Sequence, residues 1–297
     1  MRVAWVLNLA AELELSGEPI GRGTRKAIRN GVTFLRGDGG LIDSGDAVLD
    51  PDGGSAAPGM IGLCWSPTPK ALDVFARARI PALAVAAEVL RRVTSRRFSL
   101  ELGATLVGSC FVRALEPALA VIAHPPPVGS AWRLKRAFGM SGRGHRVVPH
   151  GAPEPATVRW IEGAIPSGVL IEPEVEVTSE VSLHGWTSND GSLLLGRPTS
   201  VRNDDRGAFV AVQPAADLAE PDRSALVSEA ARAGAALAAV GYQGPFGVDA
   251  FHWTDGSSIR FRARSEVNAR FTMAYGIGMR GVPWRERAAA ALGGSDG

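Results

Sequence analysis

The apolar and polar residues of the first 90 or so positions alternate between a strand period and a helix period. RVAWVLNL (2–9) and GMIGLCW (59–65) are nearly continuous apolar runs, which predict buried strands. GTRKAIRNGVTFLRG (23–37) and TPKALDVFARARI (68–80) carry apolar residues at helical spacing, the second after a Thr-Pro start. Alternating strands and helices predict an open α/β lobe that ends near residue 90.

Hairpin patterns follow in the middle of the chain. SAWRLKRAF (130–138) and HRVVP (145–149) have strand character and flank the glycine-rich segment GMSGRG (139–144), so they predict one hairpin. A second hairpin is predicted to turn at Asn189 to Gly191.

The last quarter of the chain predicts a long helix followed by two strands. The alanine-rich stretch 221–240 predicts a helix that stops at Gly241. The segments 244–253 and 257–271 predict strands on either side of a turn at Asp255 and Gly256, and we expect them to pair in antiparallel fashion.

Oxygen-bearing side chains gather on these final strands. Glu266 and Asn268 are two residues apart, so they point the same way in a strand, and antiparallel pairing brings Asp249 towards Glu266. Two carboxylates and an amide oxygen suit one or two Mg²⁺ ions that also bind nucleotide phosphates, with Mn²⁺ as an alternative ion. A second interpretation stays open, in which the acids only form surface ion pairs. Their partners would be the neighbouring arginines Arg262, Arg264 and Arg270.

The first hairpin predicts a flap over phosphates. Gly142 and Gly144 allow backbone N–H groups to approach phosphate oxygens, and Lys135 adds a positive charge on the preceding strand. An ordinary hairpin explains the same glycines. The spacing fits neither a P-loop nor a dinucleotide fingerprint.

The acidic strand VLIEPEVEV (169–177) has features that an adenine site needs. Its apolar run ends at Glu172, and the following proline exposes irregular backbone groups. Glu172 would accept from the adenine amino group, Val175 would supply a backbone contact, and Glu180 would hold the ribose hydroxyls. A charged edge strand is the alternative.

Composition and charge narrow the classes of binding partner and the cellular location that we expect. The chain has 297 residues and a formal net charge of +2, from 32 basic and 30 acidic residues, which provides no broad field for nucleic acid or an anionic membrane. Cys64 and Cys110 fit neither a disulfide framework nor a zinc site. The amino terminus turns acidic too soon for a signal peptide, and no apolar run approaches the ~20 residues of a membrane span. We therefore expect a cytoplasmic protein with reduced thiols.

The order of these motifs resembles the ATP-grasp superfamily of carboxylate–amine ligases over roughly residues 90 to 280. The resemblance rests on the lysine strand with its glycine-rich flap, the acidic hinge strand, GVDAF (247–251) and EVN (266–268). It implies an α/β protein with a pre-grasp lobe over 1–90, a flap subdomain over 91–167 and a metal-binding subdomain over 168–297.

The resemblance also implies roles for residues. The metal ligands would be Asp249, Glu266 and Asn268, Lys135 would bind phosphate, and EPEV (172–175) would form the adenine hinge. Two departures are visible. Where many members have an earlier lysine on the nucleotide, this chain has SRRF (95–98), so Arg97 is the expected substitute, and the frequent Asn-Pro is Asn268-Ala269.

The activity implied is ATP-dependent ligation. A substrate carboxylate attacks the γ-phosphate of ATP, and an amine captures the acylphosphate with release of ADP and phosphate. Arg264 and Arg270 are expected to neutralise charge, and Arg270 either contacts the acylphosphate or pairs with Glu266. The expected partners are a small-molecule carboxylate and a small-molecule amine, with a homodimer left open.

Other functions compete with this one. A phosphotransferase would let a hydroxyl attack the γ-phosphate directly, and a non-catalytic module would bind MgATP without turnover. A nicotinamide dehydrogenase is disfavoured because the first strand is followed by AAELELSGE (10–18) and not by a glycine fingerprint.

Overall fold

The described part of the chain folds into three sheets with helices packed on them, in agreement with the predicted α/β class. A computed structural model of the chain describes residues 1–19, 22–37, 40–50, 58–103, 106–139, 144–203, 209–215 and 217–293. Each sheet defines one lobe, which we call the amino-terminal, four-stranded and six-stranded lobes.

The amino-terminal lobe is the open α/β unit that the sequence predicts. Its strands are parallel in the order β2-β1-β3, and they are β1 (Val3–Val6), β2 (Ala47–Val48) and β3 (Ile61–Cys64). Its helices are α1 (Ala11–Ser16), α2 (Arg22–Arg36) and α3 (Pro69–Ala78). Thr68 caps α3 by accepting a hydrogen bond from the Ala71 amide, and Pro69 occupies its first turn, as the Thr-Pro start predicts.

The four-stranded lobe is an antiparallel sheet in the order β4-β7-β5-β6. Its elements are β4 (Cys110–Val112), α6 (Leu115–Ala123), β5 (Ala131–Arg136), β6 (His145–Pro149), α7 (Pro155–Ala164) and β7 (Val169–Pro173). The first predicted hairpin is confirmed as β5 and β6. Because β7 lies between β4 and β5, this sheet reaches Pro173, beyond the division expected between residues 167 and 168.

The six-stranded lobe holds the two predicted final strands at one edge. The strand order is β11-β10-β8-β12-β13, with β9 paired to β8. The strands are β8 (Glu176–Thr187), β9 (Leu193–Leu195), β10 (Thr199–Asn203), β11 (Phe209–Pro214), β12 (Gly244–Thr254) and β13 (Ile259–Asn268). The helices α4 (Ala87–Thr94), α5 (Arg96–Glu101) and α8 (Glu220–Ala239) pack on this lobe.

One face of the six-stranded sheet is covered and the other carries polar side chains. Val181, Leu183, Val248 and Val267 point into an apolar core with α8. Since strand side chains alternate, the residues between them point to the opposite face, towards the four-stranded lobe. That face is where the predicted metal ligands lie.

The carboxyl-terminal segment returns to the amino-terminal lobe. It contains α9 (Tyr275–Gly278) and α10 (Trp284–Ala291). Trp284 stacks on Trp186 of β8 and contacts Phe271, while Phe271 meets Trp5 of β1 edge-on. These aromatic contacts fix the amino-terminal lobe against the six-stranded lobe. Among the described residues, no helix is both long and apolar enough to cross a membrane.

Candidate active site

The pairing of the last strands brings the predicted metal ligands together. β12 and β13 are antiparallel, with Asp249 opposite Glu266 and Gly247 opposite Asn268. The Asn268 amide nitrogen donates to Asp249 Oδ2 at 2.7 Å, so the Asn268 oxygen is the atom suited to a cation. Ser182 of β8 lies opposite Asp249 on the other side and donates to Oδ1 at 2.6 Å.

The environment of Asp249 holds surplus negative charge. Burial raises the pKa of Asp249 to about 6, the Ser182 hydrogen bond opposes this rise, and the Glu266 carboxylate adds to it. Glu180, two residues before Ser182 on the same face of β8, raises the Asp249 pKa further. A divalent cation would relieve this repulsion between carboxylates.

Two cations, Lys135 and Arg262, surround the buried carboxylate of Glu172 at the boundary between the four-stranded and six-stranded lobes. Lys135 of β5 forms an ion pair with Glu172 Oε1, and Arg262 of β13 holds Glu172 Oε2 through two nitrogens at 3.1 and 3.2 Å. Glu172 is only 3% exposed. Burial alone would raise its pKa, but Lys135 and Arg262 hold the pKa of Glu172 down at about 2. Because Glu172 lies on β7 and Arg262 on β13, their ion pair links the four-stranded and six-stranded lobes.

Arg96, and not Arg97, reaches the site. Ser95 caps α5, so both arginines lie in its first turn, where consecutive side chains point about 100° apart. Arg96 is buried and its Nη2 lies 3.2 Å from Glu266 Oε1. Arg97 is exposed and pairs with Glu101 at 2.6 Å. The structure thus brings Arg96, and not the expected Arg97, beside the predicted metal ligand Glu266.

A small cavity between the lobes is the place where the charges converge. Its walls include Arg96, Lys135, Arg262 and Glu266, so three cations face one carboxylate. The Nε–H groups of Arg96 and Arg262 are buried without a hydrogen-bond partner. These buried donors lack acceptors, so the walls of the cavity offer N–H groups to an oxygen acceptor.

His145, the first residue of β6, has a pKa that is lowered in part by these same cations. It lies opposite Lys135 in the hairpin. Burial, together with the charges of Arg96 and Lys135, lowers the pKa of His145 to about 2. The imidazole of His145 is therefore neutral at physiological pH and adds no positive charge beside Lys135.

The site expected for the adenine ring lies at residues 172–175, where β7 ends and β8 begins. Val175 packs beside a small apolar cluster of Leu106, Phe251 and Trp253. The Arg262 guanidinium lies 5.3 Å from the centre of the Phe251 ring. Phe251 is the cross-strand neighbour of Glu180. An aromatic face, an apolar wall and two acids are thus close together, as an adenosine site requires.

The remaining predicted residues lie elsewhere. Gly144 closes the β5–β6 hairpin, its carbonyl accepting from the Arg136 amide at 3.0 Å, whereas Gly142 falls outside the described residues. Arg264 is buried among α5 and α8, where it bonds to Glu229, Ser99 and Gly103. We therefore assign Arg264 a structural role.

Arg270 has a partner that sequence reasoning missed. Its Nε donates to Glu12 of α1, in the amino-terminal lobe, and its guanidinium lies 5.4 Å from the centre of the Trp65 ring. Glu266, the alternative partner expected for Arg270, pairs with Arg96 instead. Arg270 thus joins the loop after the metal ligands to the amino-terminal lobe.

The oxygen atoms of Asp249, Glu266 and Asn268 suit a hard cation whose remaining coordination positions are filled by a bound ligand and water. Within the part of the chain that the structure describes, no group of three or more His, Cys, Asp or Glu side chains could hold a metal ion. Asp249, Glu266 and Asn268 supply three oxygen-bearing side chains, so phosphate oxygens and water would complete the coordination of Mg²⁺.

Comparisons with known proteins bear on the fold. No protein-family model and no curated protein matches the sequence. Solved structures do match. One is D-alanyl-alanine synthetase A from Vibrio cholerae, with 16% identity, a TM-score of 0.57, and coverage of 97% of this chain and 93% of that one.

Two further solved structures are similar over nearly the whole chain. D-cycloserine synthetase DcsG has 16% identity and a TM-score of 0.58, covering 98% of this chain and 99% of its own. A carboxyaminoimidazole ribonucleotide synthase from Aspergillus clavatus, solved with ATP, has 16% identity and a TM-score of 0.58, covering 100% of this chain and 78% of its own. At such low identity the likeness establishes a shared fold.

The buried position of Glu172 generates a stability prediction. Glu172→Gln leaves Lys135 and Arg262 buried without their anion, so we expect the free energy of unfolding to fall by about 3 kcal/mol. Glu174→Gln removes a partly exposed partner of Arg133 and should cost about 1 kcal/mol or less. Urea denaturation measures both variants, and equal losses would contradict the central place given to Glu172.

The raised pKa of Asp249 predicts a dependence on pH. Between about pH 4 and pH 6 the folded protein keeps a proton that the unfolded chain has released, so the ligand-free protein loses stability as pH rises through this window. A bound cation favours the ionised carboxylate. We therefore expect the rise in melting temperature caused by MgATP to be large near pH 7 and to shrink towards pH 5.

Two variants control this melting experiment. Asp249→Asn should abolish the rise, whereas Asp73→Asn, at an exposed carboxylate on α3, should retain it. A rise that is unchanged between about pH 7 and pH 5 would exclude Asp249 as a ligand of the cation.

Proposed function

The chain adopts the ATP-grasp fold, and we propose that it is an ATP-dependent ligase that joins a carboxylate to an amine. The observation that carries the proposal is the meeting of two sets of side chains across one cleft. Asp249, Glu266 and Asn268 form an oxygen-rich set on the six-stranded sheet. The cations Arg96, Lys135 and Arg262 line one cavity together with Glu266 of that set.

The phosphate chain would lie between these two sets. Asp249, Glu266 and Asn268 would hold Mg²⁺, which supplies charge neutralisation and alignment of the phosphates when bound. Arg96 and Lys135 would bind phosphate oxygens; in the structure each pairs with a carboxylate, Arg96 with Glu266 and Lys135 with Glu172. Phosphate oxygens would replace those carboxylates as partners of the cations.

The nucleoside would lie at the hinge. The β7 ladder with β5 extends through Glu172 and Pro173, and the Glu174 amide donates to the Ala131 carbonyl at 2.8 Å. The backbone at Val175, just beyond this pairing, would supply the polar edge, and Phe251 would supply an aromatic face. Glu180 would hold the ribose hydroxyls; it faces the same side of β8 as Ser182 and lies opposite Phe251. The match to a structure solved with ATP supports this choice of nucleotide.

The chemistry then needs positioning more than covalent help. An oxygen of the substrate carboxylate attacks the γ-phosphorus, the bond to the β,γ-bridging oxygen breaks, and ADP leaves. The amine nitrogen attacks the resulting acyl carbon, loses a proton, and expels phosphate to give the amide. Arg96 and Lys135 would neutralise charge on the transferred phosphoryl group, and Arg270, whose charge acts on Asp249, would contact the acylphosphate.

Substrate screening tests this function. ADP release should require a carboxylate and an amine together, in a screen of amino acids and small carboxylates alone and in pairs. Glu266→Gln should reduce turnover at least 1000-fold, since loss of a metal ligand removes neutralisation from the phosphoryl transfer step. The variant should still unfold cooperatively.

Two other results would reject the ligase. Full ADP release with one hydroxyl-bearing substrate and no amine would indicate a phosphotransferase. Tight MgATP binding without turnover for any pair would indicate a non-catalytic module.

The neighbouring arginines of α5 offer a matched pair of variants. Arg96→Met should weaken MgATP binding at least tenfold, because it removes a buried cation that lies beside Glu266. Arg97→Met should change binding less than twofold, because the Arg97 side chain is exposed and pairs within its own helix. Isothermal calorimetry measures both, and a larger loss for Arg97→Met would contradict the placement of the phosphates.

A further inference from the structure

A second cavity lies behind the four-stranded sheet, on the face opposite the cleft. Lys135 and Arg136 are consecutive in β5, so their side chains point to opposite faces of the sheet. Lys135 lines the cavity between Arg96 and Glu266, which we call the phosphate cavity, whereas Arg136 lines the second one, which we call the rear cavity. The rear cavity has a volume of about 140 Å³, close to the ~150 Å³ of an engineered apolar cavity that holds benzene.

The walls of the rear cavity come from two lobes. Ser16 and Glu18, at and just after the end of α1, line it from the amino-terminal lobe. The four-stranded lobe contributes Arg136, Phe138 and the end of α7 with the turn that follows. A cation, a carboxylate, hydroxyl groups and apolar surface therefore share one space outside the proposed nucleotide site.

Arg136 offers this space an unused pair of donors. Its guanidinium stacks on Trp160, 5.3 Å from the centre of the ring. Among the described residues, both hydrogen bonds of its side chain use Nη1, one to Glu18 at 3.0 Å and one to the Gly163 carbonyl at 3.5 Å. The edge formed by Nε and Nη2 bonds to none of these residues. Two parallel N–H groups on one edge match the two oxygens of a carboxylate.

Arg133 shows the same edge when it is filled. It lies on the same strand as Arg136, and its Nε and Nη2 bond to the two oxygens of Glu174. Gly163 keeps the corresponding edge of Arg136 open, since a Cβ at this position would lie 3.8 Å from Nη2 and a longer side chain would reach it. The open edge of Arg136 therefore suits a carboxylate that belongs to a ligand.

The negative groups of the wall already have partners. Glu18 pairs with Nη1 of Arg136, and the Ala164 carbonyl at the end of α7 accepts from the Ser167 and Gly168 amides. These groups therefore require no cation from outside, and the unused donors of Arg136 set the charge of the ligand. The volume of the cavity leaves room for an apolar body of about six carbon atoms.

We propose that the rear cavity binds a small monocarboxylate effector, with its two oxygens on the Nε and Nη2 edge of Arg136 and its apolar body against Phe138 and Pro166. The proposal goes beyond the ligase function, because this carboxylate lies outside the phosphate cavity and is not consumed.

The backbone at Arg136 connects the rear cavity to the phosphate cavity. The Arg136 carbonyl accepts from Arg96 Nη1 at 2.7 Å, and the Ala137 carbonyl accepts from the Arg96 amide at 3.0 Å. A ligand that holds Arg136 in place therefore also holds Arg96 in place beside Glu266. The effector and MgATP thus favour each other's binding, and the factor is the same in both directions.

Ligand-observed NMR on the full chain tests the binding of a carboxylate. The probes are benzoate and butyrate, and the neutral isosteres benzamide and butyramide are their controls. We expect at least one carboxylate to bind at least tenfold more tightly than its amide, because only the carboxylate fills the arginine edge with two acceptors. Failure of both carboxylates to bind, or equal affinity for the amides, would overturn the assignment.

Variants of one strand locate the site. Arg136→Met should lower the affinity for the tighter carboxylate at least tenfold, and Arg136→Lys, which keeps the charge without the fork, should lie between Arg136→Met and the native protein. Arg133→Met is the matched control and should change affinity less than twofold, because Glu174 already occupies its edge. Equal effects of the two methionine variants would contradict the site. A loss in Lys135→Met that Arg136→Met does not show would place the carboxylate in the phosphate cavity and reject the proposal.

Gly163→Leu provides a second test that keeps the Arg136 side chain. Gly163 is an exposed residue of α7, and leucine favours a helix more than glycine does, so we expect this variant to unfold cooperatively. Its side chain would occupy the open edge of Arg136 and should lower carboxylate affinity at least tenfold. Native affinity in folded Gly163→Leu would count against the rear cavity.

Calorimetry with a non-hydrolysable MgATP analogue tests the coupling. A saturating carboxylate should raise the affinity for the analogue about fivefold, the analogue should raise the affinity for the carboxylate by the same factor, and Arg136→Met should abolish both effects. Unchanged affinities would reject the effector role, and competition between the two ligands would reject the rear cavity as the site. Turnover does not enter these measurements, so a failure of the ligase function leaves this result standing.

Discussion

One buried carboxylate holds the two halves of the cleft together. Glu172 sits on the four-stranded sheet with Lys135 from its own sheet on one oxygen and Arg262 from the six-stranded sheet on the other. A buried charge without partners is far less favourable than one in a complete pair. The cations therefore fix the hinge strand against β13, and the distance between the lobes follows from this contact. Arg96 adds a second link, since it joins the Arg136 carbonyl of β5 to Glu266 of β13.

These links use the groups that a nucleotide requires. A buried cation is unfavourable without an anionic partner, and in the ligand-free protein carboxylates are the partners of these cations. Phosphate oxygens carry more charge and are stronger acceptors for an arginine fork than a single carboxylate. Under the proposed function, nucleotide binding would thus exchange one set of anionic partners for another around the same cations. Such an exchange needs little rearrangement of the backbone, which suits a reaction that depends on positioning.

Local periodicity predicted the parts of the site that lie on one strand pair. The spacing of Glu266 and Asn268, with the turn at Asp255 and Gly256, was sufficient to place Asp249 opposite Glu266. Arg96 was missed because a one-residue change on a helix turns the side chain by about 100°, and only the cap at Ser95 fixes that phase. Glu12 and Ser182 carry no local signal, since tertiary packing alone brings them to Arg270 and Asp249. The extent of the four-stranded sheet was missed for the same reason, because the place of β7 depends on strands distant in sequence.

The position of Arg262 couples the two ends of the proposed nucleotide site. Its guanidinium covers the Phe251 ring and holds Glu172, so it stands where a base would stack. A base that reached Phe251 would displace Arg262 from the ring and release one oxygen of Glu172 to accept from the base. The displaced guanidinium would need a new anion, and in the cavity it lines that anion is the phosphate chain of the same nucleotide. A free base or a free phosphate supplies only half of this exchange, which favours the intact nucleotide over either fragment.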